Sequence, residues 1–219
     1  MTVRSYKRRA SRVTRSQQDA LDRLWSRWGV EVDGRPLDLT TLFGRESATT
    51  TPVPVVLEIG SGMGEATAEM ATAQPELALL VVEVHTPGIG SLLRQVDVRG
   101  LTHVRVADGD AVVLVREMLA PHSLAGVRIF FPDPWPKARH AKRRLLDEEF
   151  VTLLVSRLAR GAVVHVATDI TAYAAQARSV LAAQPLLAAI DAPWRPRTRF
   201  EGQGLAAGRQ SVDLAYRRL

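Results

Sequence analysis

Val55-Val56-Leu57-Glu58-Ile59-Gly60-Ser61-Gly62-Met63-Gly64 is an apolar run that ends in a turn with glycine at every second position. A short aliphatic run broken by glycine reads as a buried strand, and the spacing of Ala66, Met70 and Ala73 beyond it reads as a helix. The chain then repeats this alternation. Residues 77–84 make a second apolar strand ending at Glu83, followed by a helical pattern over 89–98 opened by Pro87-Gly88. Strands at 104–107, 127–131 and 162–167 alternate with helices at 111–119, 145–158 and 170–183. Strands apolar on both faces, separated by helices, predict an α/β fold with a doubly wound, mostly parallel sheet covered on both sides. Beyond Pro185 the chain supplies closing elements, with residues 211–217 a late antiparallel strand.

Ahead of the first strand, residues 2–15 carry six cations (Arg4, Lys7, Arg8, Arg9, Arg12 and Arg15) and no acid. This reads as a mobile arm that either adds phosphate contacts or merely solubilises the terminus. Residues 16–29 have helical spacing with Leu21, Leu24, Trp25 and Trp28 on a packing face, and residues 36–54, with a threonine run, lead into the main domain. The chain thus divides into an arm with its leading helix, 1–52, and one domain, 53–219.

At 219 residues, 46% hydrophobic and 24% charged, the chain has the balance of a globular protein rather than a disordered one. It shows no apolar run long enough for a bilayer and no signal pattern at its N-terminus, which places it in the cytoplasm with no membrane partner. The absence of cysteine removes disulfides, thiolate nucleophiles and cysteine-ligated zinc. His85 and His140 stand outside any ligand cluster, so no metal is expected. A net charge of +6 and a pI near 10.4 make nucleic acid a plausible partner.

In doubly wound sheets ligands sit beyond the carboxyl ends of the strands, where Gly60 to Gly64, Glu83, Asp110 and Asp133 all fall. Gly60, Gly62 and Gly64 depart from the dinucleotide fingerprint, which wants its third glycine where Glu65 stands. Taken alone they fit an ordinary tight turn equally well. Glu58 adds a carboxylate in the first strand, and Glu83 lies about 20 residues past the turn, where an acid commonly binds ribose hydroxyls. A ligand with a ribose and a cationic centre fits these acids better than a pyrophosphate, and S-adenosylmethionine is such a ligand. Asp110 is the candidate for its adenine edge, with Asp108 too close to be set aside.

The second informative stretch is Ile129-Phe130-Phe131-Pro132-Asp133-Pro134-Trp135-Pro136-Lys137-Ala138-Arg139-His140-Ala141-Lys142-Arg143-Arg144. Its prolines push the residues before them, Asp133 and Trp135 included, toward extended conformations and stiffen the loop. Five cations follow without an acid, a density that attracts phosphates, although a basic run by itself is usually a solvated face. Trp135 either stacks on a base or packs as a buried indole.

On these residues the chain resembles the bacterial tRNA (guanine-N7-)-methyltransferases, class I S-adenosylmethionine-dependent enzymes of Rossmann-like fold. The resemblance covers residues 53–218. It is carried by residues 57–64, Glu83-Val84-His85-Thr86-Pro87-Gly88-Ile89-Gly90, residues 131–144, Thr168-Asp169 and Thr198-Arg199-Phe200-Glu201. It implies methyl transfer to N7 of a guanosine in the variable loop of tRNA. It also implies that Glu58, Gly60, Gly62, Gly64, Glu83, Asp110 and Asp133 bind the cofactor, with Asp133 at the reaction centre. Lys137, Asp169, Thr198, Arg199, Phe200 and Glu201 would meet the substrate, and Arg139, His140, Lys142, Arg143 and Arg144 would hold the RNA backbone. Asp169 has a structural alternative as the cap of the helix that follows it. Ala138, Ala141 and Arg199 depart from the family pattern at positions that bear on RNA binding rather than on the chemistry.

Guanine N7 has a lone pair and no proton, so transfer from a sulfonium needs no obligatory general base, and positioning dominates. A carboxylate beside the base would stabilise the positive charge that develops on it. Two rivals share these residues: a methyltransferase acting on another RNA or base, and a nonenzymatic RNA-binding module. The expected partner is tRNA, with the protein a monomer or homodimer and no obligatory protein partner.

Overall fold

The computed structural model describes residues 6, 12–44 and 53–219; Arg4, Lys7, Arg8 and Arg9 of the basic arm and the threonine run lie outside the described residues. Eight strands appear among them: β1 (Gly29–Glu31), β2 (Val55–Ile59), β3 (Ala78–Glu83), β4 (Val104–Asp108), β5 (Leu124–Phe130), β6 (Leu158–Thr168), β7 (Leu187–Ile190) and β8 (Val212–Arg218). They form one sheet in the order β1-β4-β3-β2-β5-β6-β8-β7. The strands from β1 to β6 pair in parallel, β8 runs antiparallel to β6, and β7 antiparallel to β8. The late antiparallel strand is therefore present, and it brings β7 with it as the sheet's last edge.

Helices α1 (Arg15–Trp28), α3 (Glu65–Ala73) and α4 (Thr86–Arg99) cover one face, and α5 (Ala111–Val113), α6 (Glu148–Arg157) and α7 (Thr171–Ala182) the other. The alternation of side chains along β2 explains how one strand feeds both layers. Val55, Leu57 and Ile59 join the core under α5 to α7, whereas Val56 joins the core under α1, α3 and α4. Two further helices complete the set among the described residues, α2 (Leu39–Gly44) and α8 (Arg199–Ala206).

Three elements differ from the sequence expectation. The helix over 111–119 converts after Val113 into a π-helical turn, Leu114–Met118, closed by Leu119 N–H donating to Leu114 O at 3.1 Å. The Met118 carbonyl is taken up by Leu37 N–H at 2.8 Å, so the wider turn leaves that acceptor satisfied. The helix placed over 145–158 starts later because Asp147 caps it, accepting from Phe150 N–H at 2.8 Å. The strand placed over 162–167 starts earlier, at Leu158, with a register irregularity opposite Leu124 to Gly126 and Gly161 at φ 83°.

The leading segment is built onto this sheet. A capping box opens α1, with Thr14 Oγ1 accepting from Gln17 N–H at 3.3 Å and Gln17 Oε1 from Thr14 N–H at 2.9 Å. Ala20, Leu24 and Trp28 are buried against α4, with Leu21 and Trp25 partly buried beside them. The approach is close enough that a Cβ on Gly90 would meet Gln17 O at 2.7 Å. The chain then adds β1 to the edge of β4, a strand that its three residues do not announce. Trp28 is only 3% exposed, so Trp28→Ala should cost about 3–5 kcal/mol in urea unfolding. A loss under 1 kcal/mol would mean that α1 is not part of the cooperative unit.

Candidate active site

The sheet order reverses at β2: the chain moves outward through β3 and β4, then returns to place β5 on the other side. The carboxyl ends of β2 and β5 therefore flank the switch point, where open α/β sheets bind ligands. The loops there are 60–64 and 131–136, the two stretches that the sequence singled out.

Gly60, Gly62 and Gly64 all have positive φ, at 83°, 58° and 84°. Gly64 must be glycine twice over, since a Cβ there would also lie 2.8 Å from Leu92 Cβ. On the opposite wall, a Cβ on Gly88 would lie 2.0 Å from Gly62 O, so α4 and the turn meet backbone to backbone. Glu83 holds this arrangement. Its Oε2 accepts from Gly62 N–H at 2.9 Å, and its Oε1 from Val84 and His85 N–H at 2.7 and 2.9 Å. Burial pushes the Glu83 carboxyl up, against the pull of those three bonds.

Glu58 is buried mid-strand, with Oε1 accepting from Thr67 Oγ1 at 2.7 Å and Oε2 without a partner. Its cross-strand neighbour on β5 is Arg128, whose guanidinium donates to Gln74. Burial raises the Glu58 carboxyl, while Thr67 and Arg128 pull it back. Ser61 Oγ in the glycine turn is also buried without a partner. At the end of β4, Asp108 stands beside Glu83 in register, and Asp110 caps α5 by accepting from Val112 N–H at 2.9 Å.

At the end of β5, Phe131 and Trp135 take positive φ values of 51° and 42°. Each is a costly conformation for a bulky side chain, about 1–3 kcal/mol, and the two bracket Asp133. Trp135 is thus not extended as the proline after it suggested. Its ring is held between Arg143, 4.0 Å from the centroid, and the edge of His140, at 5.9 Å. Phe131 is tied to β6 by its N–H donating to Ala167 O at 2.8 Å, and the Pro134 carbonyl accepts from Arg144 Nε at 2.9 Å. Between these anchors Asp133 is half-buried, and its carboxylate has no hydrogen bond or ion pair among the described residues.

The basic run folds as a 3₁₀ helix, Ala138–Arg143. Lys137, Arg139 and Lys142 are exposed, and none is ion-paired among the described residues. His140 is lowered by desolvation and by the charges of Arg139, Arg143 and Lys137. Arg144 turns inward, bonding Pro134 and Gln176 and lying over Tyr173.

Asp169 does not cap α7, whose N-cap is Ile170; it pairs with Arg209 Nε at 2.7 Å and packs on Gly204 of α8. Thr198 caps α8, accepting from Glu201 N–H at 3.1 Å. Arg199 and Phe200 are exposed, and Phe200 is the nearest side chain to Gly62's outer face, 3.5 Å from where its Cβ would be. The fold thus brings the Thr-Arg-Phe-Glu segment over the glycine turn. Glu201 engages Arg195 through both oxygens, at 2.7 and 3.2 Å, which holds its carboxyl below the ordinary range. Arg195, Asp213 and His165 escaped the sequence reading, because a single arginine in an irregular loop carries no spacing signal.

A family model described as "Putative methyltransferase" matches residues 52–214. A tRNA (guanine-N(7)-)-methyltransferase of Streptomyces avermitilis is 54% identical over 225 aligned residues, covering 99% of this chain and 76% of that protein. The chain belongs to the tRNA (guanine-N7-)-methyltransferase family. A second member, from Streptomyces coelicolor, is 53% identical over 99% of this chain and 81% of its own length. The fold extends beyond the family to the crystal structure of TrmN from Thermus thermophilus, with a TM-score of 0.55, 16% identity, and coverage of 93% of this chain and 48% of that one.

The raised Glu58 carboxyl has a measurable consequence. A carboxyl that holds its proton more tightly when folded favours the fold below its unfolded pKa, and the contribution is lost as pH rises through the raised folded value. Glu58→Gln cannot ionise and keeps an acceptor for Thr67. It should be more stable than wild type at about pH 8, with the advantage shrinking toward about pH 4 in urea titrations. An advantage that grows as pH falls would contradict the burial argument.

Proposed function

We propose that this enzyme transfers a methyl group from S-adenosylmethionine to N7 of a guanosine in the variable loop of tRNA, forming 7-methylguanosine. The observation that carries the reading is the unpaired Asp133 carboxylate, fixed between two strained residues at the sheet's switch point beside the glycine turn. The curated relatives are named for methylation of guanine N7 in tRNA, which agrees with it.

The residues present fit the donor. A Cβ on Gly60 would meet nothing within 4 Å, so a ligand can approach that backbone, and the partnerless Glu58 Oε2 and Ser61 Oγ supply polar atoms beneath it. Glu58, Gly60, Gly62, Gly64, Glu83, Asp110 and Asp133 would hold it, Glu83 largely by fixing the turn and Asp110 or Asp108 at the adenine. When bound, the donor supplies an electrophilic methyl on a sulfonium. Asp133 orients the guanine and stabilises the charge gained by its ring without taking a proton.

Lys137, Asp169 and the segment from Thr198 to Glu201 form the substrate side. Of that segment Phe200 and Arg199 are exposed for contact, while Thr198 and Glu201 fix α8. Of Arg139, His140, Lys142, Arg143 and Arg144, the exposed Arg139 and Lys142 reach RNA phosphates, Arg143 and His140 set the Trp135 ring, and Arg144, turned inward onto Pro134 and Gln176, holds the loop instead of the RNA. The division into 1–52 and 53–219 is drawn within one sheet, because α1, β1 and α2 of the leading segment pack on the same strands as the 53–219 methyltransfer domain. The reading has the protein act in the cytoplasm, as a monomer or homodimer without an obligatory protein partner. No helix among the described residues is long and apolar enough to cross a membrane.

Incubation with labelled S-adenosylmethionine and undermodified tRNA, followed by digestion to nucleosides, should yield labelled 7-methylguanosine, and chain cleavage at that base should map it to the variable loop. Label in any other nucleoside overturns the reading. Asp133→Asn should lower kcat by roughly 100-fold and weaken donor binding by about 3-fold or more, because the same carboxylate serves both the donor and the reacting base.

The basic run makes a separate prediction. Replacing Lys137, Arg139 and Lys142 together with glutamine should flatten the dependence of log tRNA affinity on log salt by about 0.7–0.9 per lost phosphate contact. Arg144→Gln should instead lower the unfolding midpoint and leave that slope nearly unchanged.

A further inference from the structure

Arg195 lies in the irregular loop between β7 and α8, yet its side chain is only 8% exposed. All five of its N–H donors have acceptors. Nε donates to Asp213 Oδ1 at 2.6 Å, one terminal nitrogen to Asp213 Oδ2 at 2.8 Å and Glu201 Oε1 at 3.2 Å, and the other to Glu201 Oε2 at 2.7 Å and Pro196 O at 3.2 Å. The guanidinium also lies 5.5 Å from the ring centroids of both Phe130 and Phe131. His165 closes a circuit. Its Nε2 bonds Asp213 Oδ1 at 2.7 Å, and its ring meets Phe130 edge to face at 5.0 Å.

We infer that Arg195 is a positioning residue for methyl transfer, one guanidinium that sets the Asp133 loop and α8 relative to each other. The reaction named in this inference rests on the function proposed above. β8 does not need Arg195 for its place, since a six-residue ladder from Val163↔Arg217 to Thr168↔Val212 already pairs it with β6. Phe131 has less support. It lies beyond β5 with a left-handed backbone, held by one hydrogen bond to Ala167, by packing on the small cluster of Met70, Phe130 and Ala167, and by its ring against Arg195. The same guanidinium grips Glu201 in the first turn of α8, the helix that carries Phe200 over the glycine turn. The reaction-centre loop and the segment above the cofactor turn therefore share one anchor. Lysine keeps the charge but offers three donors on a point cation, so it can neither satisfy both carboxylates nor present a flat face to the rings.

Arg195→Lys is the test, with Asp213→Asn as a second variant that removes one carboxylate while keeping its shape. The expected result is a kcat at least about 10-fold lower at saturating donor and tRNA, with any rise in the KM for tRNA smaller than the fall in kcat. Peptide-level hydrogen exchange should accelerate over residues 130–136 and 199–206 and stay unchanged along the ladder between β6 and β8. Methylguanidine added to Arg195→Ala should recover part of the lost kcat. Exchange that rises uniformly across the chain, with kcat per folded molecule equal to wild type, would reduce Arg195 to a structural ion pair. If the wild-type protein makes no 7-methylguanosine, the proposed reaction falls, and the exchange pattern still decides whether Arg195 couples the two segments.

Discussion

One buried carboxylate fixes the glycine-turn end of this molecule. Glu83 closes the end of β3 on itself through Val84 and His85 N–H and reaches across to take Gly62 N–H, so the turn after β2 and the turn after β3 cannot move independently. Desolvation is the larger effect and raises this buried acid, and its three backbone hydrogen bonds counter it in part. Exclusion acts in the same direction. Gly62 O sits where a Cβ on Gly88 would be, and Leu92 sits where a Cβ on Gly64 would be. The turn is placed by attraction from one side and by close packing from the other, which makes it a preformed platform rather than a loop ordered by its ligand.

The other half of the site is held differently. Phe131 and Trp135 occupy left-handed backbone at a cost of about 1–3 kcal/mol each, and contacts outside the loop compensate. Arg144 pins Pro134 from one side, Arg143 and His140 clasp Trp135, and Arg195 lies over Phe130 and Phe131. Cations thus do for this loop what an anion does for the glycine turn. The outcome leaves Asp133 without a hydrogen bond or ion pair among the described residues, while Arg143, Arg144 and Arg195 are committed to holding the loop.

The parts legible in the sequence were those set by short-range pattern. The apolar runs read at 55–60, 77–84 and 104–107 are strands because helices cover both their faces, and Glu83, Asp110 and Asp133 fall at one end, with Glu58 inside β2, because parallel strands share a direction. What those acids bond to was not legible. Glu83, read as a ribose ligand, also takes three backbone N–H bonds, Asp169, read as a substrate contact with a helix cap as its alternative, pairs with Arg209, and Glu201 faces Arg195. β1 is a strand only because β4 offers it an edge, and the π-helical turn depends on Leu37 taking the Met118 carbonyl. Each of these rests on a partner distant in the chain, which local periodicity does not encode.

The basic run shows how geometry divides what composition cannot. A 3₁₀ helix has three residues per turn, so side chains three apart stand above one another. Arg139 and Lys142 form one row, and both are exposed. His140 and Arg143 form the next, and both touch Trp135. A basic run that looked like one block is therefore two rows on one short helix, an exposed outward row and an inward row that holds the Trp135 indole. The α-helical period of 3.6 would have blurred those rows, so the tighter helix is what lets adjacent cations serve different ends.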